Sequence, residues 1–525
     1  MPIVQQGSIN TTALVVPDLY VQIVPPQNLV LNGVPTNTLG VVGTASWGPA
    51  NQPVTLATMA DYARTFGPVM PRKYDMGTPV ATAVQQGASN FRCVRVTDGT
   101  DVAASYALFY AAGAYPLALT ARYTGSLGNS VSMLLAAGSQ AGTWRMTLTL
   151  PGLTPEVFDN IASPSSAVFW ANLAAAINTG ASALRGPSQL VVASVGTGTS
   201  TAPQYLANQT LLGGTDGATA INAATLVGAD TLPRRGLYAL RGQGCSLALL
   251  ADADDNTQYT VQAAFALSEG LYIIATTSPG DTLANAVALK QAAGLDSYGV
   301  KLMFGDWIYW NDQANGTIRL VSPQGFAAGR LANLSPEQSS LNKPLYGIIG
   351  TQKSGTPGSG QTNAYSSAEL AQLLGNGIDV IANPQPGGSF WGVRGGHNSS
   401  SNAATNGDNY TRLTNYVAST LASGMGQYVG LVINANLFRR IRATQLSFLQ
   451  NLLSQGILGS TDAALPFSVI CDVSNNPNSR TSLGYVQSDA QVQYQAINEK
   501  FIVNMEGGQT VQVSRQTLPS GQRGN

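Results

Sequence analysis

The sequence predicts a mixed α/β (α+β) protein with a discontinuous α/β core, an inserted mostly-β domain, and extended strand-forming arms at the N- and C-termini. Three observations predict it. Short apolar, β-branched runs alternate with helical segments on both sides of the chain's first half, the pattern of a locally parallel sheet covered by helices. Between about residues 106 and 217 charge becomes sparse and Ala, Thr, Ser and Gly dominate, with short alternating strands in place of the βα rhythm. The two ends carry strand-prone segments set apart by proline and polar residues.

Residues 1–28 read as the N-terminal arm. Leu14, Val15 and Val16, then Tyr20, Val21 and Ile23, are apolar or β-branched, but Pro17 interrupts them and Pro25-Pro26 closes them. Proline confines a strand to a sheet edge, so this segment is expected to pair on one side only. The first part of the core, 29–105, holds a buried strand at 39–45, a helix at 59–66 capped by Thr58 and stopped by Gly67-Pro68, a second helix at 78–87 and a strand at 91–96. The insertion, 106–217, offers strands at 130–135 and 143–150 and a helix at 167–178.

The second part of the core, 218–365, reads as strand 246–250, helix 258–269, strand 271–275, helix 282–293 and strand 300–304. Segments 323–332 and 342–349 read as linker, and 351–362, rich in Gly, Ser and Thr, as a flexible loop. The C-terminal unit, 366–500, carries helices at 368–374, 412–421 and 435–455 and strands at 380–382 and 467–473. On its last helix Leu437, Phe438, Ile441, Phe448, Leu449 and Leu452 share one stripe, while Arg439, Arg440 and Arg442 fall off it. The C-terminal arm, 501–525, opens with Phe501, Ile502 and Val503 in a strand expected over 500–505, and alternates again through Val511 and Val513.

Composition narrows the function. The 525 residues hold 26 Lys+Arg against 26 Asp+Glu, and charged residues are 10% of the chain, where about 25% is usual. Scattered, balanced charge makes no phosphate-neutralising surface, so no nucleic-acid partner is expected. One histidine, His397, removes His-rich metal sites. Cys93, Cys245 and Cys471 lie far apart without a CxxC pair and read as free thiols in a reducing compartment. No apolar run nears the roughly 18 residues of a membrane helix, so no direct membrane binding is expected. Residues 1–10 lack the basic start and apolar run of a secretory signal, which points to a cytoplasmic product. So little charge on a chain this long suits surfaces that end against copies of itself.

Catalytic and metal motifs are missing. Asp252, Asp254, Asp255 and Asn256 resemble the start of a calcium loop, but Thr257 and Ala263 stand where Gly and Glu are required, so a strand-to-helix turn is expected. There is no nucleophile elbow and no P-loop. Asp379, His397 and a following Ser would place a triad on a glycine loop without its signature turns, and His397 reads as an ordinary exposed side chain. No enzyme activity, cofactor or metal is expected.

The stretch 40–67, GVVGTASWGPANQPVTLATMADYARTFG, resembles the opening of the contractile tail sheath proteins of bacteriophages. Further blocks follow in that family's order: FRCVRVTD at 91–98, TGSLGNSV at 124–131, LGGTDG at 212–217, VSPQGFAAGRL at 321–331, NPQPGGSFWGVR at 383–394, the helix at 434–456, FSVICDVSNN at 467–476, and the closing strands at 500–512. Gly395 and Gly396 replace the Thr and its follower usual after the WGxR block, and 132–211 holds no recognisable block. The resemblance implies a structural subunit that polymerises helically, in rings of about six, around a tail tube protein, with baseplate and tail terminator proteins as further partners. It implies arms that pair with strands of neighbouring subunits, a C-terminal unit facing the tube, and an inserted domain facing outward. It also implies contraction that drives the tube through a host envelope for DNA delivery, and a place in the virion tail after assembly in the host bacterial cytoplasm. Arg439, Arg440 and Arg442 are the expected tube contact. A phage-derived bacteriocin particle is the near alternative. An adhesin or tail fibre, which should be repetitive and all-β, is the distant one.

Overall fold

The computed structural model describes residues 3–6, 20–23, 31–109, 114–162, 165–360, 363–461, 464–507 and 509. Its centre is a seven-stranded sheet in the order Ile378–Asp379, Val300–Met303, Tyr272–Thr276, Leu247–Leu250, Leu39–Gly43, Phe91–Arg95, Pro53–Leu56. All neighbours are parallel except the last pair. Leu39 pairs with Leu247 and with Phe91, so chain from both sides of the insertion meets in one sheet. Strands buried on both faces are continuous apolar runs such as LALL and YIIAT, as a helix-covered parallel sheet requires.

One face of the sheet packs Val41, Phe91, Leu249 and Ile274 against Val80, Phe326 and Leu331. The other packs Val42, Val94, Leu250 and Ile273 against Tyr259, Phe265 and Leu226. The helix Met59–Phe66 begins with a capping box between Thr58 and Asp61, and the expected helices 258–269 and 282–293 form as Tyr259–Glu269 and Leu283–Ala292.

The insertion builds its own core. Four antiparallel strands, Glu156–Ala162, Thr143–Thr149, Ser132–Ala137 and Leu206–Thr210, stand beside a second sheet of Val191–Val195, Leu117–Ala121 and Ser105–Ala107. Helix Ser166–Thr179 contributes Phe169, Trp170, Leu173 and Ile177 to their common core.

Several expectations are corrected. Segment 323–332 is not a linker but the helix Gln324–Ala332, with eight of its nine residues buried. Its glycines misled the reading. A Cβ on Gly329 would stand 2.5 Å from the Ala83 Cα, and one on Gly325 2.8 Å from the Pro79 carbonyl, so these glycines let the helix lie against Gly77–Gln85 backbone to backbone. Segment 342–349 is also structured: Leu341 and Pro344 bridge to Val393 and Gly392, and Ile348–Thr351 is a strand. That strand joins Ile308–Asp312 and Thr317–Val321, which the sequence reading passed over. Residues 500–505 form no strand: Phe501, Ile502 and Val503 are 82%, 80% and 71% exposed, because no strand of the described chain lies beside them. Val511, Val513 and Leu14, Val15, Val16 lie outside the described residues. His397 is half-buried rather than exposed.

Candidate assembly site

The C-terminal unit is held to the core by a buried ion cluster. Lys301, in the central sheet, puts Nζ 2.6 Å from Asp379 Oδ2, 3.1 Å from Asp408 Oδ1 and 3.0 Å from the His397 carbonyl. Asp379 also accepts the amides of Gly395, Gly396 and His397. Asp408 opens the helix Asp408–Met425 and accepts the Tyr272 hydroxyl at 2.7 Å and the Ser340 amide at 3.1 Å. Burial pushes the Asp408 carboxyl up, but Lys301 and the hydrogen bonds from Ser340 and Tyr272 outweigh it and hold the group down at about 2. One turn on, Arg412 donates to the carbonyls of Leu334 (2.7 Å) and Ser335 (2.9 Å). The Asp379–His397 pair that could have suggested a triad is therefore part of a structural clamp.

Both arms start from this same helix. Leu31 is buried against it, the Val34 amide donates to Thr420 Oγ1 at 3.2 Å, and the Tyr416 hydroxyl lies so close to Gly33 that no Cβ fits there. On the C-terminal side Asn409 donates to the Gln495 carbonyl (3.0 Å), the rings of Tyr410 and Tyr494 meet at 6.0 Å, and His397 Nε2 stands 2.7 Å from Glu499 Oε1. Beyond Glu499 the chain is exposed through Phe501, Ile502, Val503 and Met505. These anchors escaped sequence reading because each partner is distant in the chain and none belongs to a motif.

Below the long helix Ala435–Ser454 lies a two-stranded antiparallel ribbon, Phe467–Ile470 with Asp489–Val492. Phe467 and Val469 point into the helix, whose stripe of Leu437, Phe438, Ile441, Phe448, Leu449 and Leu452 is buried as expected. Among the described residues neither ribbon strand has a second strand beside it, so each presents an outer backbone edge able to take another strand. Twelve of the 25 large hydrophobic side chains exposed among the described residues lie between Val429 and Met505, so exposed apolar side chains are concentrated at this end. Arg439, Arg440 and Arg442 are exposed on the long helix, with the Arg440 guanidinium 5.8 Å from the Tyr428 ring centre.

The crevice between Leu39–Gly43 and Leu247–Leu250, where an open parallel sheet binds ligands, is covered by the protein's own loop. The Tyr74 amide donates to Asp252 Oδ2 (3.2 Å) and Lys73 pairs with Asp254 (2.9 Å). The Asp252–Asn256 segment is the expected strand-to-helix turn, with Asp255 capping Thr257. No group of His, Cys, Asp and Glu able to hold a metal occurs among the described residues, and no helix there is long and apolar enough to cross a membrane. Cys93 and Cys471 are buried and Cys245 half-buried, all three free.

No family model matches the chain and no curated protein matches it in sequence. Solved structures match throughout. The sheath tail protein of Desulfitobacterium hafniense superposes with a TM-score of 0.57 at 16% identity, covering 86% of this chain and 93% of its own. That of Listeria innocua gives 0.58 at 16% identity, covering 84% and 89%. The helical sheath of the anti-feeding prophage in its contracted state gives 0.54 at 12% identity, covering 94% and 100%. The chain has the fold of a tail sheath protein.

Of the arm residues read from sequence, Tyr20, Val21 and Ile23 fall among the described residues. They lie in strand Tyr20–Ile23, which pairs in parallel with Ile3–Gln6, Tyr20 opposite Ile3. Phe501, Ile502 and Val503 stand at the exposed end of the sheath fold's C-terminal unit, and the three arginines on its long helix are a separate exposed feature.

Proposed function

We propose that the chain is the structural subunit of a contractile sheath, polymerising helically in stacked rings around a tail tube and contracting to drive that tube through a host envelope. The observation that carries this reading is the sheath fold over most of the chain, joined to a ribbon whose outer edges are open among the described residues and to an exposed, strand-prone C-terminal segment at 501–505. In this reading the arms, 1–28 and 501–525, add strands to the ribbon Phe467–Ile470/Asp489–Val492 of neighbouring subunits. Backbone hydrogen bonds then provide the affinity, and alternating side chains set the register. Leu14, Val15, Val16, Tyr20, Val21, Ile23, Phe501, Ile502, Val503, Val511 and Val513 are the arm residues assigned to these contacts.

Unit 366–500 faces the tube, Arg439, Arg440 and Arg442 meet an acidic tube surface, and the insertion, 106–217, faces outward from the core pieces 29–105 and 218–365. Baseplate and terminator proteins close the polymer, no nucleic acid, membrane or cofactor is engaged directly, and the particle assembles in the bacterial cytoplasm. Contraction is a downhill change of lattice that needs no nucleotide.

Negative-stain microscopy of the purified protein tests the reading: hollow tubes of constant width are expected, and a dispersed monomer at high concentration counts against it. A second reading, the sheath of a phage-derived injection particle, draws on the anti-feeding prophage sheath and on the contracted sheath of the PVC extracellular injection system, which superposes over 95% of this chain and 99% of its own. Particles that carry a DNA-filled head favour the phage reading, and headless particles favour the other.

A further inference from the structure

The inserted unit joins the core through a two-stranded neck. Val102 and Thr215 exchange backbone hydrogen bonds at 3.1 and 3.0 Å, and Ser105 and Leu212 do so at 2.9 and 3.0 Å. The core grips this neck at Asp216. Its Oδ2 takes Arg72 Nη1 at 2.5 Å and its carbonyl takes Arg95 Nη2 at 3.2 Å, both from the core, while its Oδ1 takes the Ser126 amide of the inserted unit itself at 2.6 Å. Arg72 is only partly used by this contact: its Nε and Nη2 are shut away from solvent and meet no protein acceptor. Asp75, three residues on, is fully buried. Its Oδ2 takes the Thr78 amide (2.9 Å) and hydroxyl (3.0 Å), while its Oδ1 completes no hydrogen bond, although the Met70 backbone also draws on the carboxyl. Unused donors on an arginine therefore stand near an unused acceptor on a carboxyl, and the Arg72 charge is the strongest attraction that Asp75 feels.

We propose that Asp75 and Asp216 compete for Arg72, so that ionisation of Asp75 loosens the core's grip on the neck of the inserted unit. With Asp75 protonated, Asp216 is the sole anion bound to the guanidinium. When the proton leaves to solvent, a second buried anion appears whose charge has no direct hydrogen-bonded cation. The free Nε and Nη2 of Arg72 are the donors placed to answer it, and turning them toward Asp75 draws the guanidinium from Asp216. The other titratable or charged groups around this place are Tyr62 on helix Met59–Phe66, Cys93 and Arg95 on strand Phe91–Arg95, Asp101, whose charge acts on Arg95, and Arg319, which reaches the Thr78 hydroxyl at 2.6 Å and pairs with Asp312 at 2.6 Å. Burial keeps Tyr62 and Cys93 neutral by pushing both far up, and the arginines keep their charge. Burial also pushes the Asp75 carboxyl up to about 7, against the pull of Arg72, so the switch falls near neutral pH.

The test is hydrogen exchange on the full chain, followed by mass spectrometry at about pH 6 and about pH 8 and corrected for the intrinsic rate. Peptides over the neck, 98–105 and 211–217, are expected to open at least about threefold more at the higher pH, while a peptide over Leu247–Leu250 stays unchanged. Asp75→Asn, whose side-chain oxygen can still accept from Thr78, is expected to hold the neck closed at both values. Asp216→Asn, which removes the competing anion, is expected to leave it open at both. A wild-type neck indifferent to pH overturns the proposal, and so does a pH response that survives in either variant. The measurement is made on unassembled protein, so its outcome is independent of whether the chain builds a sheath.

Discussion

Lys301 keeps a charge at the centre of the molecule, where an unpaired ion could not persist. Its two carboxylates and one carbonyl satisfy it, and the chain segments that supply them belong to the central sheet, the Gly395–His397 loop and the start of helix Asp408–Met425. Lys301→Met would leave Asp379 and Asp408 buried without their cation. It is expected to lower stability by about 3–5 kcal/mol, read as a lower urea midpoint with unchanged slope; a loss under about 1 kcal/mol would show the cluster to be ornamental. The pH dependence has a definite sign. Asp408 lies at about 2 in the folded chain against an ordinary 3.8, so the unfolded chain binds the extra proton between those values. Its contribution is present above about pH 4 and fades as pH falls through about 2. Acid unfolding of Asp408→Asn should thus lose part of the steepness seen in wild type over that window, when both are followed by circular dichroism.

Elements that depend on their own residues were legible, and those that depend on a neighbour were not. Helix 59–66 could be read to the residue because Thr58 and Asp61 close a capping box within it, and the stripe on the long helix repeats at helical spacing whatever lies opposite. Helix Gln324–Ala332 was missed because Gly325 and Gly329 weaken its local signal, while their use is to admit another helix. Gly329→Ala makes the point testable. Helix propensity alone favours Ala by about 1 kcal/mol, yet its Cβ would meet Ala83 backbone, so a net loss of about 1–3 kcal/mol is expected from thermal melts. A gain would refute the close approach. Arg439, Arg440 and Arg442 are exposed, and Arg440 touches the core only through the Tyr428 ring, so reversing all three to Glu should lower the melting temperature by no more than a few degrees. The same variant is expected to abolish sheath formation on tubes. Normal sheathed tubes would remove these arginines from the tube contact.

At the scale of the whole molecule, the proposed assembly gives the ends more weight than their share of the chain. Removing residues 1–24 should leave a soluble protein with the far-UV spectrum of the folded units but no polymer; long tubes in electron micrographs would show the arm to be dispensable. The zero net charge and 10% charged residues that open as a set of exclusions fit such a polymer, since few charges must be buried when surfaces meet. The sequence by itself determined the βα alternation, most helices, the stripe, and the ordered blocks of the sheath resemblance, because those signals are carried by residues within a few positions of one another. Only the tertiary structure decided which strands share the central sheet, that Lys301 ties Asp379 to Asp408, that both arm roots sit on one helix, and that 501–503 pairs with no strand among the described residues. The reason is physical: a strand edge and a buried charge are defined by their partners, and here those partners lie tens to hundreds of residues away.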